Sequence, residues 1–183
     1  DFSQILQCGS VLTDEDLSVL GKQNIGCAPL PWVIPQPMAM ITNKKIDLFN
    51  SNTSHYQMMK DLQMQWKQWS AENPAIFITY NGHAFDEELV RRQFFWNLLE
   101  PYTTNTNGNG RLDLMLMIHN IAAFFSDEIS MPLFEGGPGI SYKLEHLAIE
   151  HGIDAGDAHD AIADCNLMIE MCRIIKERIP EVF

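Results

Sequence analysis

The last helical segment, which begins at Ala161, is the sequence feature that most constrains how this chain folds. Its apolar residues recur at spacings of three and four, which predicts a helix with one buried face; they are Cys165, Met168, Cys172, Ile175 and Ile179. Asp164 lies on the same face, where an ordinary amphipathic helix would carry an aliphatic residue. An inward-pointing carboxylate needs a partner, and a bound cation is the commonest one that keeps it ionised. Asp164 is therefore the first candidate for a functional site.

The composition is that of one globular domain. The chain has 183 residues, 46% of them hydrophobic, which is enough to bury one core. The net charge of −12 argues against a broadly basic surface, although an acidic enzyme can bind phosphodiesters through metal ions and local basic residues. The four cysteines form no Cys-x-x-Cys pair, so we predict reduced thiols and a cytoplasmic location. No apolar run approaches the roughly twenty residues of a membrane span, so we expect no membrane partner.

Strand and helix patterns alternate along most of the chain. Apolar stretches at 4–12 and near 17–20 predict a hairpin joined by an acidic turn. Four prolines within 29–37 predict an extended surface segment. Helical spacing runs from residue 55 to 69, and the apolar run 75–80 predicts a central buried strand. The expected fold class is α/β, with a mixed central sheet flanked by helices.

Asp86 stands where the strand at 75–80 gives way to a helix. A helix dipole alone favours acids in the first turn, so Asp86, Glu87 and Glu88 could be merely structural. Asp113 is likewise either a site acid or a partner of Arg111. Ser141 is predicted to be the N-cap of a later helix, and Gly152 is predicted to end it.

Asp86 and Asp164 together indicate a site for hard divalent cations. Each acid lies near the start of a helix, and His159, five residues before Asp164, could act as a nearby base. Carboxylate oxygens suit Mg²⁺ or Mn²⁺, and the absence of a Cys or His cage in the sequence argues against zinc. The pattern therefore favours phosphate chemistry. The remaining histidines are predicted to be surface or capping residues.

The same residues resemble the DEDDh 3′-to-5′ exonucleases, which have an RNase H-like fold. Asn81-(x)3-Phe85-Asp86 and His159-(x)4-Asp164 look like the second and third motifs of that family. The chain is also similar to the bacterial exodeoxyribonuclease I enzymes in the runs Tyr80-Asn81, Arg111-Leu112-Asp113 and Leu144-Glu145-His146-Leu147. The resemblance implies that Asp86 and Asp164 are catalytic ligands of two Mg²⁺ or Mn²⁺ ions and that His159 is the catalytic base.

The resemblance also implies a single-stranded DNA substrate that is degraded to 5′-mononucleotides. Tyr80, Asn81 and Phe85, together with the segment 35–41, are candidates to line the nucleotide pocket, where an aromatic face contributes about 1–3 kcal/mol per stacked base. Arg91, Arg111 and Lys143 either meet the phosphates of the strand or form surface salt bridges. A single-strand-binding protein is a further candidate partner.

The first motif of the family, an Asp-x-Glu on the opening strand, has no counterpart in this sequence. Asp14-Glu15-Asp16 lies in a predicted turn and cannot replace it. We therefore expect residues 1–183 to form a single exonuclease domain lacking its first strand, which the resemblance places shortly before Asp1. Three functions stay open: a single-strand-specific exodeoxyribonuclease, an RNA-trimming relative, and a noncatalytic nucleic-acid-binding module.

Overall fold

The computed structural model describes residues 3–42, 46–134, 136–155 and 160–182. Strands and helices alternate, as the sequence predicts. In chain order they are β1 (Gln7–Thr13), β2 (Val19–Gly26), α1 (Pro37–Thr42), a 3₁₀ helix (Ile46–Asn50), α2 (His55–Trp69), β3 (Ile76–Thr79), α3 (Asp86–Trp96), β4 (Gly110–Asp113), α4 (Leu114–Phe124), α5 (Leu144–Glu150) and α6 (Ala161–Arg178).

The strands form two small sheets. β1 and β2 are antiparallel, with Gln7 beside Gly26, which confirms the hairpin. β3 and β4 are parallel, with Ile76 beside Gly110. Both kinds of pairing expected for a mixed sheet are thus present, but among the described residues no ladder joins the two pairs. β4 had no recognisable strand pattern, because Leu112 is the only apolar side chain among its four residues.

The buried apolar side chains form two separate cores. Residues of α4, α5 and α6 make the larger core, in which Leu114, Leu147 and Ile175 are fully buried. Between α2 and α3, Trp66 meets the rings of Phe77 and Phe94 edge-on, with centroids 5.3 Å and 6.0 Å away. The prediction that α2 is a packing helix is confirmed.

The ends of α5 differ in how well the sequence predicted them. The N-cap is Lys143, so the prediction that Ser141 caps this helix was wrong. The Ser141 hydroxyl lies 2.8 Å from Nδ1 of His146 instead, and its N–H donates to the Pro132 carbonyl. Gly152 follows the C-cap with a φ of +72°, as expected for a residue that ends a helix. Within the described part of the chain, no helix has the length and apolar character that a membrane span needs.

Candidate active site

A cavity of about 1900 Å³ lies between the two sheets. Its walls include the facing strands β1 and β3, one from each sheet. Asp86, the first residue of α3, and Asp164, in the first turn of α6, line this same cavity. The structure therefore brings together the two acids that the sequence analysis selected from opposite halves of the chain.

The loop before Asp86 is shaped by a buried acid on the neighbouring strand. Asp113, only 3% exposed, accepts the N–H of Asn81 at 2.8 Å and the N–H of His83 at 3.1 Å. Asn81 adopts a left-handed φ of +58°. A Cβ at Gly82 would lie 2.3 Å from the side chain of Thr79, so only glycine fits there. Asp113 also caps α4, and we infer that it is structural and not a site acid.

Asp86 is held in surroundings that disfavour its negative charge. Asp86 is exposed to the cavity, but partial burial of its carboxyl raises the pKa of that group, and the negative charges of Asp113 and Glu87 add to the rise. A cation bound at this carboxylate would relieve that cost.

Asp164 is positioned by the close approach of α6 to β1. The carboxylate of Asp160 caps this helix by accepting the N–H of Ile162 at 3.2 Å. A Cβ at Gly9 would lie 2.8 Å from the backbone and Cβ of Ala161, so β1 needs glycine at this point. Asp164 itself is half-buried. His159 lies outside the described residues, and its role as the base stays a prediction.

Two thiols, those of Cys8 and Cys165, line the same cavity. The sulfurs of Cys8 and Cys165 approach the carbonyl oxygen of Gly9 at 3.8 Å and 3.7 Å. Burial raises the pKa of Cys8 to about 12, and the charge of Asp86 adds to the rise. Burial raises the pKa of Cys165 to about 11, and the charge of Asp164 adds to it. Cys8 and Cys165 thus share the Gly9 carbonyl of β1, and Asp86 influences the first thiol as Asp164 influences the second.

The carboxylates supply only part of a metal site. Among the residues that the structure describes, no cluster of three or more His, Cys, Asp or Glu side chains could hold a metal ion. Cys8 and Cys165 stay protonated near neutral pH, because their pKa values are so high, and thiols are poor ligands in that form. Asp86 and Asp164 thus offer two oxygen donors of the kind that Mg²⁺ and Mn²⁺ prefer.

A buried ion pair beside Asp86 had no signal in the sequence. The side chain of Glu87 is 7% exposed, and its Oε2 lies 2.7 Å from Nε of Arg111. Its Oε1 lies 3.3 Å from Nε2 of His83. The Nε–H of Arg111 donates to the Thr104 hydroxyl at 2.8 Å, so its contact with Glu87 is an ion pair without a hydrogen bond. The suggested pairing of Arg111 with Asp113 was therefore wrong. Arg111 pairs with Glu87 of α3, whereas Asp113 accepts backbone N–H groups.

The predicted pocket residues differ in their access to the cavity. Tyr80, Asn81 and Lys143 line it. The hydroxyl of Tyr80 donates to the Tyr142 carbonyl at 2.5 Å, and burial followed by the charge of Asp113 raises its pKa, so it remains a neutral donor. Phe85 is 57% exposed just before α3. The guanidinium of Arg111 is engaged by Glu87, as described above.

The order of strands and helices fits the RNase H-like fold that the resemblance implies. No family model matches the chain. It is similar to exodeoxyribonuclease I of Escherichia coli K12, with 28% identity over 97% of this chain, and to that of Haemophilus influenzae, with 29% identity over the same share. The chain spans 37% of the length of each of these relatives.

Solved structures show the same similarity. E. coli exonuclease I in complex with a dT13 oligonucleotide matches with a TM-score of 0.88 at 26% identity, over 98% of this chain and 39% of that chain. A zinc-bound E. coli exonuclease I complex with single-stranded DNA matches with a TM-score of 0.86 at 26% identity, over 97% and 38%. A complex of exonuclease I with SSB-Ct matches with a TM-score of 0.85 at 25% identity, over the same shares. The predicted resemblance and fold are confirmed.

Proposed function

We propose that this chain is the catalytic domain of a single-strand-specific 3′-to-5′ exodeoxyribonuclease. The observation that carries the proposal is that Asp86 and Asp164 line one cavity in a chain similar over 97% of its length to exodeoxyribonuclease I. In this proposal the domain hydrolyses the terminal phosphodiester at a 3′ end and releases 5′-mononucleotides.

In this proposal Asp86 and Asp164 hold divalent cations, with Mg²⁺ or Mn²⁺ favoured by the oxygen donors. Two such ions, when bound, supply positive charge that stabilises the attacking and leaving oxygens of the phosphate. His159 accepts the proton of the attacking water, because an imidazole titrates near neutral pH. Tyr80, Asn81 and Lys143 orient the terminal nucleotide from the cavity wall.

The proposal includes a further strand between β1 and β3. Within the described residues each of these strands has one hydrogen-bonded neighbour, and the 1900 Å³ cavity separates them. All seven residues of β1 are half-buried, where a strand with one covered face would alternate. Ile76 is 67% exposed although it begins an apolar strand. A strand carrying Asp-x-Glu would fill this space and bring two more carboxylates to Asp86 and Asp164.

The further strand can be tested by design. An apolar strand that carries Asp-x-Glu is joined through a turn to Ser3, and a matched chain carries Asn-x-Gln at the same two positions. We expect both chains to be more stable to heat than the 183-residue chain, because both fill the cavity. Only the acidic strand should confer Mg²⁺-dependent digestion. Robust digestion by the 183-residue chain alone would contradict the proposed strand.

The activity is tested with the strand-completed chain on 5′-labelled DNA and RNA oligonucleotides of one sequence. We expect a ladder of products shortened from the 3′ end, with DNA digested faster than RNA. Asp86→Asn and Asp164→Asn should each nearly abolish the digestion of DNA without unfolding the domain. Wild-type rates in both variants would overturn the site assignment, and faster digestion of RNA would favour an RNA-trimming enzyme.

Partner and location are proposed as well. A single-strand-binding protein is the proposed protein partner, supported by the structural match to the exonuclease I complex with SSB-Ct. A cytoplasmic location is supported by the cysteines, since Cys8, Cys27, Cys165 and Cys172 are all free thiols.

A further inference from the structure

The outward face of α3 carries a stripe of aromatic and charged side chains that leads away from Asp86. Phe85, Glu88, Arg92 and Phe95 follow one another at spacings of three and four residues, so they share one face of the helix. Phe85 is 57% exposed and Phe95 is 66% exposed, whereas Phe94 is fully buried on the opposite side. This stripe, Phe85 to Phe95 on the outer face, therefore faces solvent.

Glu88 links two arginines on this face. Its carboxylate contacts the guanidinium of Arg91 and lies 2.8 Å from Nε of Arg92. The side chains of Arg91 and Arg92 remain 39% and 40% exposed. The guanidinium carbon of Arg91 lies 5.9 Å from the centre of the Tyr102 ring, which places Tyr102 beside the stripe.

The combination of guanidinium groups and exposed rings suits a base-stacked single strand of nucleic acid. Aromatic faces stack on bases of any sequence, and arginine binds phosphate through paired donors. On this face two arginines outnumber the one carboxylate, Glu88, so the face has a local positive charge in a chain of net charge −12. Rings without the arginines would not distinguish a nucleic acid from a protein partner.

The stripe is continuous with the candidate active site. Asp86 and Arg91 both line the central cavity, and the stripe starts at the residue before Asp86. From Phe85 to Phe95 the helix rises by about 15 Å. At about 3.4 Å for each stacked nucleotide, that length accommodates roughly four nucleotides.

We propose that this stripe is the track that binds the single strand upstream of its 3′ end. Glu88 holds Arg91 and Arg92 in the free protein, and phosphates of the strand replace its carboxylate when nucleic acid binds. A carboxylate can stand in for phosphate because arginine binds both with the same fork of donors. This inference rests on the proposed function, because it assumes that the 3′ end lies at Asp86.

The test is the affinity of the 183-residue chain for a 5′-fluorescein oligo-dT, measured by anisotropy in EDTA over a range of salt concentrations. We expect Arg91→Gln and Arg92→Gln each to weaken binding and to reduce the salt slope by roughly 0.7, the value for one phosphate contact on a single strand. Phe95→Ala should weaken binding about tenfold with an unchanged slope, because stacking is not ionic. Glu88→Gln should strengthen binding severalfold.

Matched controls come from other helices. Glu170 pairs with Arg173 on α6 at the same i, i+3 spacing, so Glu170→Gln should leave the affinity unchanged. Phe124 on α4 is 78% exposed, and Phe124→Ala should also have no effect. The inference is overturned if the α3 variants bind as these controls do.

The outcome separates this inference from the proposed function. Digestion by the strand-completed chain, combined with unchanged affinity in the α3 variants, would uphold the function and reject the track. Altered affinity without any digestion would reject the function and retain the track as a binding surface.

Discussion

Asp86 lowers the stability of the metal-free protein at neutral pH, because its pKa is raised. Its pKa is raised, so above that pKa the ionised carboxylate costs the folded protein stability, and the cost is relieved as pH falls through the raised pKa towards the ordinary value. We expect Asp86→Asn to raise the melting temperature of the metal-free protein at pH 7, because an amide places no charge beside Asp113 and Glu87.

Calorimetry in EDTA at pH 7 and pH 4 checks this expectation. The increase in melting temperature from Asp86→Asn should be smaller at the lower pH, where the wild-type carboxyl takes up its proton. Asp127→Asn, at an exposed acid between α4 and α5, serves as the control and should change little. A lower melting temperature for Asp86→Asn at pH 7 would contradict the account.

His55 makes the fold sensitive to mild acid. It is 7% exposed at the start of α2, and burial lowers the pKa of its imidazole below the ordinary 6.5, against a smaller opposing effect of the Gln93 side chain. The unfolded chain therefore takes up the proton first as pH falls below about 6.5, and the free energy of unfolding decreases until the lowered pKa is passed. Urea unfolding at pH 7.5 and pH 5.5 checks this. The free energy of unfolding should fall less between these pH values in His55→Gln than in wild type, and equal decreases would rule out His55 as the cause.

Single residues also show what the sequence could and could not predict about the site. Asp86 and Asp164 were predicted because each breaks or opens a helical pattern that can be recognised locally. The pair formed by Glu87 and Arg111 was missed, because it joins α3 to β4 and local spacing carries no record of such a contact.

Among the elements, the contact of α6 with β1 carries Asp164 to the cavity. A Cβ at Gly9 would lie 2.8 Å from Ala161, so Gly9→Ala must push α6 away from β1. We expect a loss of about 1–3 kcal/mol in the free energy of unfolding, the usual cost of overpacking. Gly137→Ala is the matched control, since a Cβ there meets nothing within 4 Å. Urea titration of both variants checks the prediction, and equal stability would contradict it.

Elements with long periodic patterns were predictable, and short ones were not. α2 runs from His55 to Trp69, as its spacing of apolar residues predicts. β4 was missed because its identity as a strand comes from parallel pairing with β3, more than thirty residues earlier in the chain. Asp113 owes its structural role to the same pairing, which brings it beside the loop that precedes Asp86.

In the molecule as a whole, the division of the sheet into two pairs defines the candidate site. The cavity between β1 and β3 is where elements from both halves of the chain meet, and the carboxylates of Asp86 and Asp164 reach it from α3 and α6. The sequence predicted a mixed sheet from its alternating pattern. The sequence could not predict the gap between β1 and β3, because the gap depends on which strands pair with each other and not on the pattern of any one strand.

We propose that Asp86 and Asp164 together hold the cations of one metal site. Crystals of the strand-completed chain, soaked in MnCl₂ and a nucleoside 5′-monophosphate, test it through the anomalous scattering of manganese. We predict one peak, or two peaks about 4 Å apart, within coordination distance of both carboxylates. Manganese at only one of these acids, or only elsewhere on the protein, would contradict the account.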